Sequence, residues 1–238
     1  EHVLSAYSQH VGALFDTLLL SKKTKCQVEL LNRCVDLIVQ GLSYSDIANE
    51  IAQYRVEIFE ALACSLFVLH SDGFYHLAAT TDTALKLKQA REAVAYAPSE
   101  GLTGWVARSH RSLRLDRVDD PEELRALAPG AKWLNKHAEK LPTTEPYKPC
   151  LIVPVMYQDT AIAILRLSRR RDGRTFLPED AELLMEFAKH SSIALSFSRV
   201  KDEAGYAMRA FAHDAGAVRD LLRTLDADYV GDDVLACP

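Results

Sequence analysis

The side chains able to do chemistry are thinly spread along the chain. His213 and Asp214, inside the run FAHDAGAVRDLL (211–222), put an imidazole nucleophile beside a carboxylate. An exposed imidazole can take a phosphoryl group onto nitrogen, but the same pair also decorates an ordinary solvated turn of helix. Five cysteines, Cys26, Cys34, Cys64, Cys150 and Cys237, are scattered, with no C-x-x-C pair and no histidine at metal-ligand spacing. That usage fits buried, reduced thiols, and no metal site is expected. Arg166, Arg169, Arg170, Arg171 and Arg174 form the one basic cluster, which runs into Asp172-Gly173 and reads as a solvated hairpin end rather than a phosphate cradle. There is no Ser-His-Asp spacing, no pair of carboxylates in a glycine-rich frame and no phosphate loop. No catalytic constellation is assigned.

The elements that must position these groups are easier to read. The chain has 238 residues, 48% hydrophobic and 26% charged, enough to bury a core. Its net charge of −5 gives no basic face for nucleic acid. The first residue is Glu1 rather than Met, so the chain reads as processed or cut from a longer one. No apolar run is long enough to span a bilayer, and a cytoplasmic location is expected.

Leu4, Tyr7, Val11, Leu14 and Leu18 are spaced 3, 4, 3, 4, the seam of a coiled coil. A helix is expected over 27–40, with Val28, Leu31, Val35, Ile38 and Val39 on one face. Another follows over 43–62, capped by Ser43 or Ser45 and striped by Ile47, Ile51, Tyr54, Ile58 and Leu62. Its SDIANEIA stretch (45–52) is like the first helix of a helix-turn-helix, but no turn and recognition helix come after it.

Strands are predicted at 64–70 and 74–80 around the Asp72-Gly73 turn, then at 93–98 and 112–116, with a short helix over 100–109 between them. CLIVPVMY (150–157) and AIAILRLS (161–168) flank Gln158-Asp159-Thr160 as an antiparallel hairpin. Both runs are nearly all apolar, so the hairpin should be central and covered on both faces. A long helix opens at Pro178, with Glu179, Asp180 and Glu182 at its positive end. Beyond it Phe197, Val200, Ala204, Ala207, Phe211, Asp214, Val218, Leu221 and Leu225 repeat at 3 and 4, a second seam.

The order of these pieces resembles the GAF domain family, small-molecule sensory modules of bacterial signalling proteins. EGLTGWVARS (100–109), the apolar hairpin and FLPEDAELLMEFAKHSSIALSFSRV (176–200) carry the resemblance, which covers residues 26–200. One departure is that Asp159-Thr160 and Ala163 stand where the family usually has glycines. The resemblance implies an α+β fold: a central antiparallel sheet of five or six strands, helices from both chain ends packed on one face, and a lid (97–149) closing a cavity over the other. Tyr96, Trp105, Leu115, Trp133 and Tyr147 would then be walls of a ligand site, with Arg108, His110, Arg114 and Asp116 as polar contacts.

Specialised forms of the family fit less well. His110 has no neighbouring cysteine for a covalent bilin, and the N-K-x-x-F signature of cyclic-nucleotide binders is absent. Haem would need His76, His110 or His137, each more readily a core or surface histidine. The cofactor, if any, stays unknown.

The 211–222 helix in turn resembles the phosphoacceptor helix of histidine kinases, but the family's Pro is missing after Ala215, Gly216, Ala217 and Val218, and no ATP-binding half follows before Pro238. The expected organisation is a dimerising N-terminal helix (1–25), a GAF-like sensory domain (26–200) and a helical extension with an acidic tail (201–238). The expected function is a ligand-binding regulatory module that relays through a homodimeric helical bundle to an output or kinase domain. The alternative is a histidine-kinase fragment with His213 as phosphoacceptor.

Overall fold

A computed structural model describes residues 28–29, 32–33, 35–36, 40, 42–132, 149–170 and 173–201. The N-terminal seam, Trp133, His137, Tyr147 and His213 lie outside the described residues. The chain divides into two compact units, Glu1–Ser198 and Arg199–Pro238. The first carries the fold.

Helix α1, Tyr44–Ile58, starts where Ser43 caps it: the Asp46 amide donates to Ser43 Oγ at 3.2 Å. Ile47, Ala48, Ile51 and Ala52 form its buried stripe. Expectation and structure part at its end. Leu62 fits that stripe by spacing, but it lies in strand β1 (Ala61–Leu69) and is 48% exposed. The chain reverses at Glu60, whose φ of 50° is in the left-handed region that closes helices.

Strand β2 is Tyr75–Thr80, helix α2 Thr83–Gln89, strand β3 Ala95–Tyr96, helix α3 Gly101–Ser109, strand β4 Leu113–Leu115 and helix α4 Pro121–Leu127. Strands β5 (Cys150–Tyr157) and β6 (Thr160–Arg170) form the apolar hairpin, and helix α5 covers 178–201. The strands make one antiparallel sheet in the order β3-β2-β1-β6-β5-β4. Its α+β architecture is the one expected.

Period-two alternation gives the central strands two buried faces. Leu151, Val153, Val155, Leu165 and Leu167 join α1 and α5 in one core, with Phe187 and Leu184 from α5. Cys150, Ile152, Ile164 and Phe67 join a second core on the opposite face, with Tyr96 of β3 and Leu113 and Leu115 of β4, under α3 and α4. The hairpin is thus central and doubly covered, as the composition of both runs demanded. Its loop is shorter than expected: Tyr157 pairs with Thr160, leaving a two-residue turn of Gln158 and Asp159.

Candidate functional site

The lid is built on two glycines that serve different ends. Gly101 opens α3 with φ at 64°, which glycine adopts without strain. Gly104 lets α3 lie against the chain before it: a Cβ there would sit 2.5 Å from the Ala97 carbonyl oxygen. Together they press α3 onto the sheet and bury every residue from Gly101 to Ala107. Trp105 is pinned by its indole N–H, which donates to the Pro129 carbonyl at 3.3 Å.

Helix α4 is tied to β4 through one side chain. The Glu123 carboxylate accepts from the Asp116 amide at 2.7 Å and the Arg117 amide at 2.8 Å. Asp120 caps the same helix by accepting from the Glu122 and Glu123 amides.

Beneath the lid the sheet floor is aromatic and aliphatic. Phe67 and Tyr96 meet edge to face, 5.3 Å between centroids and 80° between planes. The Tyr75 hydroxyl donates to the Ala161 carbonyl at 2.7 Å. Three polar side chains interrupt this floor. Ser65 and Thr80 are buried, and their hydroxyl oxygens lie 2.8 Å apart. Arg166 pairs across the sheet with Ser65 on one side and Ile152 on the other. Its neighbours Leu165 and Leu167 belong to the helix-side core, so its own side chain is on the lid side. The guanidinium carbon lies over the Phe67 ring, 5.2 Å from the centroid. Arg166 does not belong to a solvated hairpin end with the other arginines of the cluster; it is a half-buried residue of a central strand. The signal was present in the sequence, since Leu165 and Leu167 on one face force Arg166 onto the other.

Cys150 shares this face. Burial pushes its thiol up to about 12 against the opposing pull of Arg166, so it is a neutral packing group and not a nucleophile.

The other expected contacts divide. Tyr96, Trp105 and Leu115 meet in the lid-side core. Arg114, one residue before Leu115 on β4, turns to the helix side, where it donates to the Phe176 carbonyl at 3.0 Å and to Asp116 at 2.9 Å. It lines an open groove of about 690 Å³ between β4 and α5, with Arg111, Leu127, Glu182, Met185 and Glu186. Arg108 is exposed, and so is His110, which ends α3 at φ 55°. His76 is held by Asp72 at 2.7 Å. Among the described residues no cluster of His, Cys, Asp or Glu could hold a metal, and no helix is long and apolar enough to cross a membrane.

A family model described as GAF domain matches residues 43–195. No curated protein matches the chain. Among solved structures, the GAF domain of an Acinetobacter phosphoenolpyruvate-protein phosphotransferase is similar at 20% identity and TM-score 0.53, over 73% of this chain and 95% of that one. The GAF domain of the Coxiella burnetii phosphoenolpyruvate-protein phosphotransferase is 22% identical with TM-score 0.54, over 74% of this chain and 96% of that one. A GAF domain/HD domain protein of Geobacter sulfurreducens is 15% identical with TM-score 0.52, over 68% and 97%.

Proposed function

Because this chain belongs to the GAF domain family, a family of sensory signalling modules, we propose that it binds a small ligand on the lid side of its sheet and passes that binding on through its terminal helices. One observation carries the reading. The floor beneath α3 is an apolar surface with a few directional polar groups, Ser65, Thr80 and Arg166, which is the composition of small-molecule sites. Tyr96, Trp105 and Leu115 are its walls; Trp133 and Tyr147 belong to the same reading on sequence grounds. Arg108, Arg114 and Asp116 are its weakest members, because they point to solvent or to the helix side.

The relay is supported by apolar residues left uncovered. Ile193 and Phe197 on α5 are 56% and 53% exposed, at the i, i+4 spacing of a second stripe. Val28 and Val35, both helical and seven apart, are 52% and 47% exposed. Such faces suit a parallel homodimer in which ligand binding favours one arrangement of the bundle. The division into 1–25, 26–200 and 201–238, a cytoplasmic location and an output or kinase domain as partner are parts of this proposal. The finer version, with His213 accepting a phosphoryl group from a separate kinase core, rests on sequence alone.

Native mass spectrometry of freshly purified protein tests both halves. A dimer carrying a small molecule supports the proposal, and a monomer without one, at concentrations well above micromolar, overturns it. Acid-labile label from ATP and a cognate kinase core, lost in His213→Ala, would support the phosphoacceptor version. No label on the unmodified chain sinks it.

A further inference from the structure

The Arg166 Nε is buried without a hydrogen-bond partner among the described residues, and no carboxylate among them is placed against the guanidinium. An arginine cannot shed its charge to escape such a place. A buried donor left unmade is costly. The Phe67 ring offsets part of the charge but supplies no lone pair.

Ser65, directly across the sheet, does not share the task of holding an anion. Thr80 Oγ1 donates to the Cys64 carbonyl at 3.1 Å. The proton in the 2.8 Å contact between the two hydroxyls therefore comes from Ser65, which leaves Ser65 no donor to offer.

Among the described strand side chains of this face Arg166 is the one cation, and Arg114 is committed on the opposite side. One planar guanidinium matches one carboxylate through two parallel N–H···O bonds. A phosphate dianion would keep an unmatched charge against an apolar floor.

Resting on the lid-side ligand site proposed above, we infer that Arg166 is its anion anchor and that the ligand is a small organic acid. One carboxylate would meet the guanidinium, and an apolar body would have to displace the packing that buries Phe67, Tyr96 and Ile152 in the ligand-free chain.

The test uses the full chain, shown to be ligand-free by native mass spectrometry. Thermal melting is followed with millimolar benzoate or hexanoate, with benzamide or hexanamide, and with inorganic phosphate at matched ionic strength. At least one of the acids raises the Tm, while its amide and phosphate do not. Arg166→Met weakens that acid's binding by roughly tenfold to a hundredfold. It also raises the Tm of the ligand-free protein, because an uncompensated charge has gone. Arg125→Gln, exposed on α4, changes neither. If Arg166→Met does not fold, Arg166→Lys carries the test, keeping the charge and losing the fork, with weaker acid binding expected. Equal shifts from acid and amide, no shift from either acid, or a lower Tm in ligand-free Arg166→Met overturns the anchor. A neutral molecule found co-purified would discard the anchor and keep the lid-side site.

Discussion

The two faces of one sheet are built to different rules. On the helix side, α1 and α5 lay long apolar stripes over Leu66, Leu151, Val153, Leu165 and Leu167, and the polar groups buried on α5 are the uncharged Ser191, Ser192 and Ser198. On the lid side, short elements cover the floor, and the sheet itself contributes two hydroxyls and a guanidinium. Both faces use the same strands, so alternate residues of β6 serve opposite ends: Leu165 and Leu167 pack, and Arg166 between them waits for an acceptor. The described side chains buried on the helix side carry no charge, whereas the lid side holds a guanidinium that a ligand would satisfy. Proteins keep such locally unfavourable groups at functional sites and offset them elsewhere.

The largest test of that division is a cavity on the helix side. Phe187 is 1% exposed and among the largest buried side chains. Phe187→Ala should cost about 3–5 kcal/mol, read as a lower midpoint in urea with an unchanged slope. Ligand affinity measured well below the new Tm should stay as it was. A loss of affinity matching the loss of stability would mean the two faces are not separate.

Cys150 gives a pH-dependent probe of the lid side. Its thiol is raised from the ordinary 9.0 to about 12 by burial. In that window the unfolded chain ionises while the native thiol keeps its proton, so the native state binds more protons. Stability is therefore complete below the unfolded value and falls as pH rises, by about 1.4 kcal/mol per unit. Other groups titrate there too, and burial also raises the Tyr75 hydroxyl. The difference between wild type and Cys150→Ala, from urea melts at stepped alkaline pH, isolates the thiol. A flat difference would mean that the floor around Arg166 is wet.

Gly104→Ala tests the lid alone. The added Cβ would meet the backbone oxygen of Ala97 at 2.5 Å and that of Pro98 at 3.0 Å. Neither can turn aside as a side chain could, so α3 must lift, at about 1–3 kcal/mol. Amide exchange should quicken in α3 and stay slow in α1 and α5. Equal quickening everywhere would make the lid an inseparable part of the core.

How much of this was legible in the sequence depends on the periodicity in play. The apolar hairpin announced its strands, its central place and its double cover, because two unbroken apolar runs around a polar turn have few other uses. Glycine spacing in EGLTGWVARS located the lid helix, and the structure adds that Gly101 serves φ and Gly104 serves contact. Leu62 was misplaced because a position four residues after Ile58 fits a helix stripe as well as a strand start. Arg114 and Leu115 were offered as contacts of one ligand although adjacent strand residues face opposite ways. Arg166 was overlooked because the eye groups arginines by count along the chain, whereas the strand sorts them by parity.

The smallest prediction concerns a turn that belongs to neither face. Gln158 sits at φ 52° between Tyr157 and Thr160. A side chain in the left-handed region crowds its own backbone, and glycine does not. Against that gain stands the wider freedom glycine gives the unfolded chain. The first effect outweighs the second where φ is positive, so Gln158→Gly should stabilise by about 0.5–1 kcal/mol. Since β5 and β6 carry both cores, the gain should raise the unfolding midpoint without altering acid binding, amide exchange in α3 or the alkaline slope of Cys150. A shift in any of these would show that the hairpin turn couples the two faces, and the separation of packing from recognition would then have to be sought in the covering helices rather than in the sheet.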